Sequence, residues 1–162
     1  MRVYLPMTMA ALAAALDAGT VEAPVAYAVT PALREWYTEG GIDELEHAAA
    51  AVAARFSLHR LTGDASARRV VLAADVPDPG ARPAPDLDRA AVRLAEPVSL
   101  AQVVAALVDD PDAADDVRRA VAALSAAEAG DADAAFTVGS VEDHELAWYA
   151  VQELAALVEI ET

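Results

Sequence analysis

The chain of 162 residues carries 11 arginines, no lysine and no cysteine against 27 carboxylates, for a formal net charge of −16. Schiff-base, pyridoxal-phosphate and P-loop lysine chemistry are thereby excluded, as are thiol catalysis, disulfides and thiolate metal sites. A chain this acidic is expected to bind neither nucleic acid nor an anionic membrane, because both demand cationic contacts.

The length suits a single domain, 1–162, with a real core. Its 56% hydrophobic content overstates the burial available, because 43 residues are alanine and aromatics reach only 5%. Alanine favours helix and close packing but buries little area. Charge is unevenly spread: residues 1–80 hold six arginines and ten acids, residues 81–162 five and seventeen, and no arginine follows Arg119. The acidic second half is suited to a basic partner and equally to a solvated face.

Arg2 precedes fourteen uncharged residues, a run that resembles a signal peptide but is too short to cross a membrane, which takes about 20. Pro6 divides it into a strand-like piece, 2–6, and a helix capped by Thr8 that runs to Asp17, with Gly19 just past its end. With no cysteine framework downstream, the expected setting is cytoplasmic.

Residues 24–29 read as a second strand, and Thr30-Pro31 as an N-cap with proline at the first helical position. That helix runs to about Thr38, breaks at Gly40-Gly41, and restarts after Asp43. It then continues to about Leu61 on a stripe of Leu45, Ala49, Val52, Phe56 and Leu58. Residues 69–76 form the clearest strand of the sequence. Four prolines interleaved with aspartates make 77–88 a solvent-exposed loop. Another strand is expected over 91–97.

Ser99 and Gln102 have the form of a capping box, which predicts helix, whereas Val103, Val104 and Val108 predict a buried strand. The reading adopted is a turn followed by a strand. A helix is expected over 112–127 and a short strand over 134–138. Ser140 is expected to cap a final segment that ends as helix near Val158. Matches between 6–12 and 97–103, and between 26–29 and 135–138, each of the latter followed by a Trp-Tyr pair, raise an internal duplication that would require helix at 99–107.

The Met1-Arg-Val-Tyr-Leu-Pro start, the block from Tyr27 through Trp36-Tyr37, Ala74-Asp-Val and Glu142-Asp-His-Glu-Leu with Trp148-Tyr149 carry a resemblance across nearly the whole chain. They resemble an uncharacterised actinobacterial family of small acidic proteins, a domain of unknown function. The resemblance implies one cytoplasmic domain and supplies no reaction, cofactor or catalytic residue.

Glu44 and His47, at i and i+3, form half of a ferritin-like di-metal set, but no second Glu-x-x-His accompanies them, and an exposed helix face accounts for both. The aspartates at 109–116 and 131–133 lack the glycine and terminal glutamate of a calcium loop and read as turn and helix-start residues. No metal site and no cofactor is expected. Neither a dinucleotide fingerprint nor a nucleophile elbow occurs.

Around His144, Glu142, Asp143 and Glu145 could orient a general base, or could simply complement a helix dipole. Arg34, Trp36 and Tyr37 open a helix, where a guanidinium and an indole could hold a small anionic ligand. The plainer alternative makes Leu33, Trp36 and Tyr37 a core stripe with Arg34 paired to a nearby glutamate. The candidate ligand residues are therefore Arg34, Trp36, Tyr37, His144 and Trp148, with Tyr4 a further border of a shared cavity.

The expected fold is α+β, a two-layer sandwich in which a mixed sheet of about five strands carries helices mainly on one face. The leading functional expectation is a non-catalytic binding or interaction module, self-associating or bound to another protein. The alternative is a small-molecule enzyme or anionic-ligand protein that uses the Arg34–His144 constellation.

Overall fold

The computed structural model describes residues 1–63 and 66–161. In the first half the chain forms β1 (Arg2–Met7), α1 (Met9–Ala18), β2 (Thr20–Val21), β3 (Val25–Ala28), α2 (Pro31–Trp36), α3 (Ile42–Arg60) and β4 (Val70–Asp75). There follow β5 (Ala81–Pro83), β6 (Ala91–Leu94), β7 (Val98–Ser99) and β8 (Val103–Asp109). The chain ends with α4 (Ala114–Glu128), α5 (Ala132–Ser140), β9 (Leu146–Ala150) and α6 (Leu154–Glu161).

Seven strands make one antiparallel sheet in the order β5-β6-β3-β1-β4-β8-β9, and β2 pairs with β7 separately. The α+β class stands, but the sheet is larger than five strands and wholly antiparallel rather than mixed. Strands from either side of 77–88 interleave in it, since β6 pairs with β3 and β8 with β4. The central strand explains the layering. On β1, Val3, Leu5 and Met7 point to one face, where they meet Met9, Leu12 and Ala15 of α1 and Leu154 and Leu157 of α6. Tyr4 points to the other face and packs with Leu45, Ala49 and Ala53 of α3. Helices therefore cover both faces, and the two-layer expectation gives way to three layers. The reason is α6, whose return onto α1 was not legible in a short apolar tail.

Several local signals act as their chemistry dictates. The Thr8 hydroxyl accepts from Ala11 N–H at 3.0 Å, and Gly19, at φ 80°, closes α1 by donating to Ala15 C=O. Thr30 caps α2 and also donates its hydroxyl proton to Arg89 C=O. Proline in a central strand normally breaks a ladder. Here β3 reaches only as far as Tyr4 along β1, so Pro6 stands where β1 keeps a single partner, β4. The Ser99–Gln102 box forms around a one-turn 3-10 helix, and β8 starts at the next residue. Both halves of that ambiguous signal are thus realised in succession.

Four local expectations are overturned. Residues 134–138 are helical, because the Asp131 carboxylate caps Ala134 N–H at 2.9 Å and the alanine-rich stretch packs against α4. Ser140 ends that helix rather than starting another: its hydroxyl donates to Thr137 C=O, and β9 follows where helix was expected. The proline-rich segment 77–88 is not wholly loop, since it contains β5. The duplication fails, because 99–107 is turn and strand, and 26–29 and 135–138 adopt strand and helix respectively.

Candidate functional site

The sequence candidates fall into two groups. Arg34, Trp36 and Tyr37 lie beyond the C-terminal end of β3, which pairs with the N-terminal end of β1. His144 lies just before β9, whose first residue pairs with the last residue of β8. The two groups thus stand at opposite ends of the strands, and β3 and β9 are four places apart in the sheet. The structure does not bring Arg34 and His144 together. Tyr4 joins neither group: it is buried in the α3 face, opposite Tyr27, whose ring stacks on Phe56 at 4.9 Å.

At the first group, Leu33 alone enters the core, while Trp36 is 61% exposed and Tyr37 is exposed too. The expected core stripe therefore does not form, because α2 ends after Trp36 and turns both rings to solvent. The Trp36 ring is instead covered by an arginine brought from a distant loop, with Arg89 Cζ 3.6 Å from the ring centroid. Arg34 is exposed, and among the described residues it has no ion pair with a glutamate.

At the second group, the carboxylate that meets His144 is not one of its sequence neighbours. Asp116 of α4 places Oδ2 at 2.7 Å from His144 Nε2, and also pairs with Arg119. Its hydrogen bonds to His144 and then to Arg119 hold the Asp116 carboxyl below the usual carboxylate range. Glu142 instead pairs with Arg55 of α3 at 3.4 Å. His144 is therefore a fastener between α4 and the turn into β9. Glu44 and His47 are exposed on α3, and among the described residues no group of three or more potential metal ligands occurs.

Beneath that turn lies a pair that sequence reasoning missed. Asp109, at 0% exposure, receives two hydrogen bonds from the Arg69 guanidinium at 2.9 and 2.8 Å, and a third from Arg69 N–H at 2.8 Å. The same guanidinium donates to Val141 C=O and His144 C=O at 3.2 and 3.0 Å. Two buried charges thus satisfy one another bidentately and fix the backbone that delivers β9. The available signal was charge at the ends of two apolar strands, Arg69 before one and Asp109 closing the other. It becomes readable only once β4 and β8 are known to be antiparallel neighbours.

A cavity of about 230 Å³ between the end of α3 and α4 is lined by Leu61, Gly63, Ala67, Val117 and Val121 among others, and by none of the sequence candidates.

β9 itself is the most accessible strand of the large sheet. Unlike its neighbour β8, it has no buried residue, and Trp148 is 62% exposed. Ala150 N–H donates to the Glu153 carboxylate at 2.7 Å and is thus turned away from β8. Because an antiparallel ladder alternates, Trp148 and Leu146 also direct their N–H and C=O groups outward, while Ala147 and Tyr149 serve β8. The side chains of Leu146 and Trp148 share the sheet face that carries α3.

These features define an α+β protein built on a helix-covered antiparallel sheet with one open margin. Over residues 1–158 the chain matches a family of unknown function (DUF6912), and it belongs to that family. No curated protein and no solved structure matches it. Among the described residues, no helix is long and apolar enough to cross a membrane.

Proposed function

We propose that the protein is a non-catalytic interaction module that binds by accepting a partner strand along β9. The observation that supports this reading is the open margin itself: outward-facing backbone groups at Leu146 and Trp148 beside an exposed indole. Backbone pairing supplies affinity in such strand addition, and side chains on alternate residues supply selectivity. The buried Arg69–Asp109 pair fits this role, because it holds the margin in place before a partner arrives and so lowers the ordering cost of binding. A pocket for a small anion, built from Arg34 and His144, has weaker support, since these residues occupy opposite ends of the sheet.

Selection of a displayed peptide library against the chain tests the reading. Enriched peptides are expected to lose binding to Leu146→Pro, which removes one outward N–H, and to Trp148→Ala. Binders indifferent to both substitutions would overturn it.

A further inference from the structure

We infer that the occupant of the β9 margin is an extended cationic segment of another protein, which adds as an eighth strand and lays an arginine or lysine on the Trp148 ring. The inference rests on the strand-addition reading and goes further by naming the partner's chemistry.

Two independent observations carry it. The first is charge. Glu142, Asp143, Glu145 and Glu153 flank β9 and are all exposed. Residues 120–162 contain nine carboxylates and no arginine or lysine. The nearby cations are already engaged, Arg55 with Glu142, Arg69 with Asp109, and Arg119 with Asp116. A strand carrying positive charge would meet uncompensated acid at both ends of β9.

The second observation is internal to the molecule. Its two tryptophans are almost equally exposed, at 61% and 62%. Trp36 has its face covered by Arg89, whereas among the described residues Trp148 has no cation or ring against it. The fold thus supplies the partner for one indole and leaves the other for a guest. A second copy of this chain is a poor guest, because each copy has a net charge of −16 and pairing two β9 strands would bring the same flanking acids together.

The test uses the full chain carrying Trp36→Phe, so that Trp148 is the fluorescent reporter. The probes are a short peptide alternating arginine and valine, its glutamine-for-arginine counterpart, and the arginine peptide N-methylated on alternate amides. The arginine peptide is expected to bind and shift Trp148 emission, with affinity falling about tenfold from low to physiological ionic strength. The glutamine peptide should bind about tenfold more weakly, and N-methylation should abolish binding. In calorimetry, Trp148→Ala should weaken the arginine peptide about tenfold.

Equal, salt-insensitive binding of the arginine and glutamine peptides would overturn the cationic assignment and leave strand addition intact. Undiminished binding of the N-methylated peptide would mean surface adhesion by charge, and would overturn both. A chain that ignores all three peptides but sediments as a dimer dispersed by Trp148→Ala would make a second copy the occupant. If the chain neither binds the peptides nor dimerises, the inference and the reading beneath it both fall.

Discussion

The two margins of the sheet are built on opposite plans. β5 is three residues long and contains Arg82 and Pro83, which has no N–H to offer. The turn behind it is tied down three ways: Ala28 N–H donates to Ala90 C=O at 2.8 Å, the Thr30 hydroxyl donates to Arg89 C=O, and Arg89 lies on Trp36. β9 is five residues long, uncharged and free of proline, and its anchorage comes from below through Arg69 and Asp109. An uncharged open edge is a liability that proteins commonly blunt. This chain blunts one edge and leaves the other, so the contrast marks β9 as the margin kept for use.

Substitutions at the anchors measure how differently the margins are held. Asp109→Ala strands a buried guanidinium and should remove about 3–5 kcal/mol in denaturant unfolding, with β9 amides losing exchange protection first. An effect no larger than that of an exposed pair such as Arg118–Asp115 would erase the contrast. Thr30→Ala, at the other margin, removes a helix cap and the tie to Arg89, and should lower stability by about 1–2 kcal/mol.

Asp116→Ala should act more weakly and only away from acid. The Asp116 carboxyl titrates below its ordinary value in the folded chain. Its contribution is therefore present above the unfolded carboxyl's value and disappears as pH falls through the folded one. Melting curves of the parent and variant should differ at neutral pH and converge at acid pH. Trp148→Ala is the smallest perturbation, expected within about 0.5 kcal/mol of the parent because the ring is mostly exposed. A larger loss would make Trp148 a structural residue and remove the reason to call β9 open.

Which parts of this were legible in sequence follows from how far each signal reaches. Thr8, Gly19 and Thr30-Pro31 are read correctly because a cap involves only residues a few positions apart. The Ser99–Gln102 box followed by valines succeeds for the same reason. Residues 134–138 mislead, since Phe136, Thr137 and Val138 favour a strand, but the Asp131 cap and packing on α4 prevail and leave Phe136 at 80% exposure. At the candidate site, His144 and Trp148 are visible as unusual residues, but their meaning is not. The partner of His144 lies 28 positions away and that of Arg69 lies 40. Contacts of that span depend on strand order, which periodicity alone does not specify. Trp36 and Tyr37 show the converse error, since helical spacing suggested a core stripe where the helix had already ended.

Ser57 shows how the α3 face is locked to the sheet. Its buried hydroxyl donates to Met7 C=O at 2.8 Å and accepts from Val70 N–H at 2.9 Å, two residues that face each other at the end of the β1–β4 ladder. The helix thus supplies the last rung of a ladder to which it does not belong. If α3 lifted away, both backbone groups would lose their partner in a dry interior. The helix and the centre of the sheet must then open together, so partial melting of this face is suppressed and the middle of the molecule responds to stress as one cooperative unit.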